Sequence, residues 1–272
     1  MHYIALLRAC AATLLTLFLF TTSGHAQDAT PGEPTPESQV LLDAAMDALP
    51  SGRAIVAVDR WRMRISPEPM TIPAVKGPVS IAVESGEVRT SDGTDEVQLG
   101  AGDWQSFTGA TAISLQPVGD DEAIVFIVYM IPGFMDAFSD AEGLGDYDLT
   151  AYTVDYLIST SADDLPGGPG RLALERLVVP QGSALPSIES QPLVWTEVGA
   201  GALGLTLEGE HLPFRWKSGA ERTFRPGQYL PALADEVQMT FRNVGATDLV
   251  LYRLSIVPEV TEAAVSENFA HA

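Results

Sequence analysis

Seven side chains in two stretches of this sequence could recognise a small polar molecule. Glu84, Arg89 and Trp104 fall in one stretch; Glu197, Arg215, Trp216 and Tyr229 fall in the other. Aromatic rings beside a carboxylate or guanidinium suit a sugar or another small polar ligand. The competing account is that Trp104, Trp216 and Tyr229 fill a core, where large aromatics commonly pack. Proton-transfer chemistry at the same places would fall to Glu84, Glu197 or Tyr229, since general acids and bases are usually His, Glu, Lys or Tyr. No catalytic residue can be named from the sequence.

Other chemistry is sparse. There is no Gly-x-Ser-x-Gly elbow and no phosphate loop. Of the four histidines, two lie in the first 26 residues, leaving His211 and His271. His211 reads as a surface residue near a hairpin. The single cysteine, Cys10, lies at the start, so residues 27–272 cannot form a disulfide. Asp140, Glu142, Asp146 and Asp148 could supply oxygen ligands to calcium, but their spacing is not that of an EF-hand; a solvated acidic loop is the simpler reading. The chain has 36 acidic and 15 basic residues, a net charge of −21. Such a surface repels nucleic acid and anionic lipid, and favours solubility or cationic partners.

The elements that must position these residues begin after a leader. Residues 1–26 read as a signal peptide: Arg8, an apolar run from Ala11 to Phe20, and small residues before Ala26. The run is short for a bilayer span. This implies a secreted or cell-envelope protein with no membrane segment once the leader is cleaved. Residues 27–53 read as a linker followed by a short helix, with Val40 to Leu49 at helical spacing and Ser38 as its cap. From Ala54 to Pro132, short runs rich in β-formers alternate with Gly, Pro and Asp turns, the signature of an all-β unit. Residues 133–170 form an acidic connection that holds one further strand candidate, Leu149 to Ile158. A second all-β unit spans 171–258, and 259–272 is a flexible polar tail.

The two units repeat one another. Gln98-Leu99-Gly100-Ala101-Gly102-Asp103-Trp104 is echoed by Thr223-Phe224-Arg225-Pro226-Gly227-Gln228-Tyr229. Both are followed by a turn and a long strand ending in Pro. Ala57-Val58-Asp59-Arg60-Trp61 is echoed by Ala173-Leu174-Glu175-Arg176-Leu177.

This order of signals resembles the cupin family. The matches are Val83-Glu84-Ser85-Gly86-Glu87, Asp92-Gly93, Leu99-Gly100-Ala101-Gly102-Asp103 and Val118-Gly119-Asp120. In the second unit they are Pro226-Gly227-Gln228 and Asn243-Val244-Gly245. The resemblance implies two tandem cupin-like jelly-roll β-barrels, 54–132 and 171–258. Metal-dependent cupins carry two His and a Glu before the first of these turns and a third His after the "P-x-G" turn. Here Thr71–Pro78, Leu185–Pro192, Gln105-Ser106-Phe107 and Leu230–Leu233 contain no histidine. The expectation is therefore a degenerate, metal-free bicupin without a cofactor, which binds a small polar ligand or sugar or serves a structural role, including as a homodimer. The alternative is a metal-independent isomerase or lyase acting on a carbohydrate.

Overall fold

The computed structural model describes residues 35–66, 68–109, 111–132, 152–185, 188–189, 194–209, 212, 216–228, 230 and 237–259. Residues 1–26, read above as a leader, the acidic stretch 136–148, Arg215, Tyr229, His211 and His271 lie outside these residues. The protein is all-β. The first unit contains β1 (Glu37–Met63), β2 (Met70–Ile72), β3 (Val79–Ser85), β4 (Glu87–Ser91), β5 (Glu96–Gly100), β6 (Trp104–Phe107), β7 (Ile113–Pro117) and β8 (Ala123–Pro132). The second contains β9 (Tyr152–Val179), β10 (Ile188–Glu189), β11 (Val194–Ala200), β12 (Leu203–Glu208), β13 (Glu221–Phe224), β14 (Gln238–Asn243) and β15 (Leu249–Pro258).

One seven-stranded sheet, β11-β15-β9-β1-β8-β3-β6, runs through both units. A four-stranded sheet backs it in each: β2-β7-β4-β5 in the first and β10-β14-β12-β13 in the second. These are two tandem cupin-like jelly-roll units joined through the long antiparallel pair β1–β9. The pair is reciprocal. Residues 51–63 of β1 run beside residues 152–166 of β9, next to β8. Residues 37–49 of β1 run beside residues 168–178 of β9, next to β15. Each unit thus completes its sheet with a strand segment continuous with the other.

The helix expected over Val40–Leu49 is not formed; those residues belong to β1, and no helix occurs among the described residues. Register shifts against β9 between Val40 and Leu42 and between Met46 and Leu49 explain the misleading pattern. A bulge adds a residue to one strand and interrupts the period of two. Leu41, Leu42, Ala44, Met46 and Leu49 are all buried, and their broken alternation imitates helical spacing. Pairing to β9 on one side and burial of this face outweigh the helix propensity of an Ala- and Leu-rich segment.

Three apolar clusters make the core. One fills the first unit, with Trp61, Met63, Ile72, Ile81, Leu115 and Ile127. One fills the second, with Val198, Leu203, Leu205, Phe241 and Leu251. The third lies between the units and contains Leu42, Val56, Val58, Phe126, Leu174 and Tyr252. Alternation assigns the faces: on β1, Ala54, Val56 and Val58 point to the inter-unit core, while Trp61 and Met63 point into the first barrel. Each large side chain so buried contributes about 1.5–3 kcal/mol.

The repeat seen in the sequence is repeated in hydrogen bonds. Gly102 N donates to Val83 O at 2.9 Å and Gly227 N to Val198 O at 3.0 Å. Asp103 N donates to Gly100 O and Gln228 N to Arg225 O. The side chains close the turns alike, with Asp103 Oδ2 accepting from Gly100 N at 2.9 Å and Gln228 Oε1 from Arg225 N at 2.7 Å. Asn243, only 4 % exposed, donates to Val179 O and Thr247 O and accepts from Gly245 N, tying the β14–β15 turn to the end of β9.

Candidate ligand site

Glu84 lies at the end of β3 and turns toward the other unit. Arg60 of β1 reaches its Oε2 with Nη2 at 2.9 Å and Nε at 3.1 Å. Arg176 of β9 brings Nε to 3.4 Å of Oε1, an ion pair without a directed hydrogen bond. Tyr252 of β15 belongs to the same cluster. Burial first, and the Glu84 charge second, push its phenol above the usual range, with Arg60 and Arg176 opposing. Its ring lies 5.1 Å from that of Phe126. Glu197, 1 % exposed, pairs with Tyr252 in the β11–β15 register. Glu84 acts on Tyr252 electrostatically, Glu197 is its register partner, and Glu84 is engaged by two guanidiniums.

The other candidates do not join them. Arg89 makes an exposed ion pair with Glu96 across the β4–β5 hairpin, at 3.3 Å, worth about 0–1 kcal/mol. Trp104 is 38 % exposed on the edge strand β6, opposite Ala82, so it does not fill a core. Trp216 packs in the wall of the second unit under Arg222, whose guanidinium lies 4.4 Å from the ring centroid, and 6.0 Å from Phe224. Its indole N–H donates to Ala220 O at 3.1 Å. That ring is committed to structural contacts.

A carboxyl that the sequence reading passed over is better placed. Asp59 occupies the inward face of β1, in register with Ile127 of β8, and Ile127 with Ile81 of β3 and Ile81 with Gln105 of β6. Its row therefore crosses the interior of the first barrel. Burial pushes Asp59 up to about 7, with Trp61 acting the other way. The half-buried Val75, Phe107 and Tyr129 pack on the core at this end. The signal was present in the sequence: Ile55, Ala57, Asp59, Trp61 and Met63 share one face at period two, and Asp59 is the only charge among them.

The second unit answers this position differently. Glu175 stands where the repeat places Asp59, and its register partner is Arg253, where the first unit has Ile127. Arg253 Nη2 and Glu175 Oε2 form an ion pair at 2.8 Å. Glu175 of the second barrel has a partly exposed arginine as its register partner, and Asp59 of the first has a buried isoleucine.

A metal ion of the kind cupin barrels hold does not fit this donor set. Among the described residues, no group of three His, Cys, Asp or Glu side chains could hold one. The Thr71–Pro78 segment contributes Ile72 and Val75 to the apolar core, and Gln105 donates to Ser106 O. Neutral amides and alkyl groups do not replace imidazole or thiolate as transition-metal ligands. The run Gly199-Ala200-Gly201-Ala202-Leu203-Gly204 has the spacing of a dinucleotide-binding turn, but it joins strand β11 to strand β12 and offers no helix N-terminus.

The fold defines a two-barrel protein of cupin-like architecture. No protein-family profile matches the chain, and no curated protein sequence matches it. Solved structures do resemble it. AerE from Microcystis aeruginosa is 15 % identical with a TM-score of 0.43, covering 84 % of this chain and 96 % of its own. A cupin 2 conserved barrel domain protein from Leptotrichia buccalis is 13 % identical with a TM-score of 0.34, covering 84 % and 92 %. Bacillus subtilis oxalate decarboxylase is 12 % identical with a TM-score of 0.44, covering 82 % and 78 %.

Proposed function

We propose that this chain is a secreted or cell-envelope protein of bicupin type that binds a small polar ligand at the Asp59 end of its first barrel, without a transition metal. The observation that carries this reading is a carboxyl on the inward face of an otherwise apolar barrel strand, beside half-buried aromatic rings. A few polar groups converging on an apolar concavity are the ordinary composition of a small-molecule site. Export rests on the leader at residues 1–26, and the negative charge speaks against nucleic acid.

A second reading has one observation in its favour. A carboxyl that titrates near neutrality is suited to general acid–base work, so a metal-independent isomerase or lyase would use Asp59 rather than Glu84, whose charge is taken by two arginines.

A thermal-shift panel of sugars, sugar acids and organic amines, run on the purified chain and on Asp59→Asn, tests the binding reading. A ligand at a hundred times its dissociation constant stabilises the folded state by about 2.7 kcal/mol. Binding at this end requires a shift in the parent chain that is reduced in the variant. Equal shifts in both would move the site elsewhere, and no shift with any compound would favour a structural role.

A further inference from the structure

We infer that the ligand of the first barrel is an organic cation, an alkylammonium or quaternary ammonium group, received by the Asp59 carboxylate and the rings of Trp61, Phe107 and Tyr129. This rests on the reading of the Asp59 end as a binding site and names the class of molecule that fits it.

In the second barrel an inward carboxylate, Glu175, is matched on the neighbouring strand by Arg253, and the two form an ion pair. In the first barrel the register equivalent of Arg253 is Ile127, and among the described residues no basic side chain enters the electrostatics of Asp59. A buried charge is tolerated when it is paired. Among the described residues, the Asp59 carboxyl of the first barrel has no cation across the register. A cationic ligand supplies what the fold supplies internally on the other side.

The neighbours agree with that class. Trp61 shares the inward face of β1 with Asp59, and Phe107 and Tyr129 flank Val79 from β6 and β8. Aromatic faces around a carboxylate attract ammonium groups through the ring quadrupole, most strongly where water is excluded. The chain as a whole carries a net charge of −21, which raises the local concentration of cations.

Ionisable groups stand around Asp59 on the neighbouring elements. Tyr129 is the ionisable side chain on the same face of β8, β3 presents Ile81 and β6 presents neutral Gln105. The register partner on β9 is Tyr156, and the exposed Lys76 stands in the loop before β3.

Calorimetry with tetramethylammonium chloride, whose charge is independent of pH, tests the inference. Affinity should rise about tenfold from pH 6 to pH 8 as Asp59 ionises. Asp59→Asn should lose at least tenfold at pH 8 and the pH dependence with it. Ile127→Arg, which copies the second barrel, should lose binding as well while keeping its folded circular dichroism. Tetramethylammonium binding that ignores pH and survives both substitutions would overturn the inference. Sugars or sugar acids that bind in an Asp59-dependent way while tetramethylammonium does not would overturn the cation class and leave the binding site standing. Absence of binding by every compound would remove both.

Discussion

Arg60 and Arg176 stand at the same position of the two repeats, and both reach the carboxylate of Glu84. Glu84 has no acidic counterpart in the second unit, where the turn reads Val198-Gly199-Ala200-Gly201. A side chain at Gly199 would run into the Tyr252 ring, so the space a second carboxylate would take is filled by the tyrosine. One carboxylate therefore bridges a duplicated pair of cations where the units meet. Its Oε2 faces Arg60 and its Oε1 faces Arg176, so each repeat holds one end of it.

Replacing Glu84 by Gln removes the carboxylate that the two guanidiniums share. Glu84 is 13 % exposed and the arginines 22 % and 31 %. Removing one partner of a fully buried pair costs 3–5 kcal/mol, and partial solvation reduces this to about 2 kcal/mol. For a chain of this size that lowers Tm by about 4–8 °C. Differential scanning calorimetry of Glu84→Gln checks it; an unchanged Tm would mean that the cluster does not hold the units together.

The Asp59 carboxyl makes stability depend on pH in the direction opposite to most acidic residues. Its folded value is raised to about 7 from 3.8. Between those values the folded state binds more protons than the unfolded state, so stability falls as pH rises from about 4 to about 7 and is not recovered above. The loss amounts to about 2 kcal/mol after allowing for partial solvation. Urea midpoints at pH 5 and pH 8 should show it in the parent chain. Asp59→Asn should flatten this contribution and be the more stable protein at pH 8.

Gly86 and Gly201 are equivalent turn residues, with φ of 76° and 80°. A Cβ on Gly86 would lie 2.8 Å from Ala123 Cα, and one on Gly201 would lie 2.6 Å from Asp248 O. Both obstacles are backbone and cannot rotate aside. Gly86→Ala and Gly201→Ala should each cost more than about 2 kcal/mol, whereas Gly119→Ala, at φ 91° with open space around it, should cost about 1 kcal/mol. Chemical denaturation of the three variants gives the ranking.

Because residues 37–49 pair with β9 beside β15, removing them should loosen the second unit before the first. Leu41, Leu42 and Met46 would leave the inter-unit core. Hydrogen exchange should accelerate at the amides of residues 171–178, with those of β3 and β8 less affected. The reverse pattern would contradict the exchange of strand segments between units.

Much of this architecture could be read from spacing alone. The Gly102 and Gly227 turns, the Asn243-Val244-Gly245 turn and the strands ending at Pro132 and Pro258 all depend on local backbone chemistry, which the sequence states directly. The Val40–Leu49 strand could not be read, because its conformation is decided by a partner more than a hundred positions away and its alternation is broken by bulges. The site was legible in part. Glu84 was singled out, but partner arginines decide whether its carboxylate is available, and those contacts are tertiary. Asp59 was visible as a lone charge in an alternating apolar face; its importance emerges only when Ile127 and Arg253 are found at the same register.

The most direct test of the account is a carbon-13 NMR titration of the Asp59 side-chain carboxyl. The account expects a midpoint near 7 in the parent chain, and a midpoint in or below the ordinary carboxylate range near 4 in Ile127→Arg, where an internal cation is restored. A midpoint near 4 in the parent chain would mean that Asp59 is already solvated or paired, and would contradict both its place in the barrel interior and the ligand built on it.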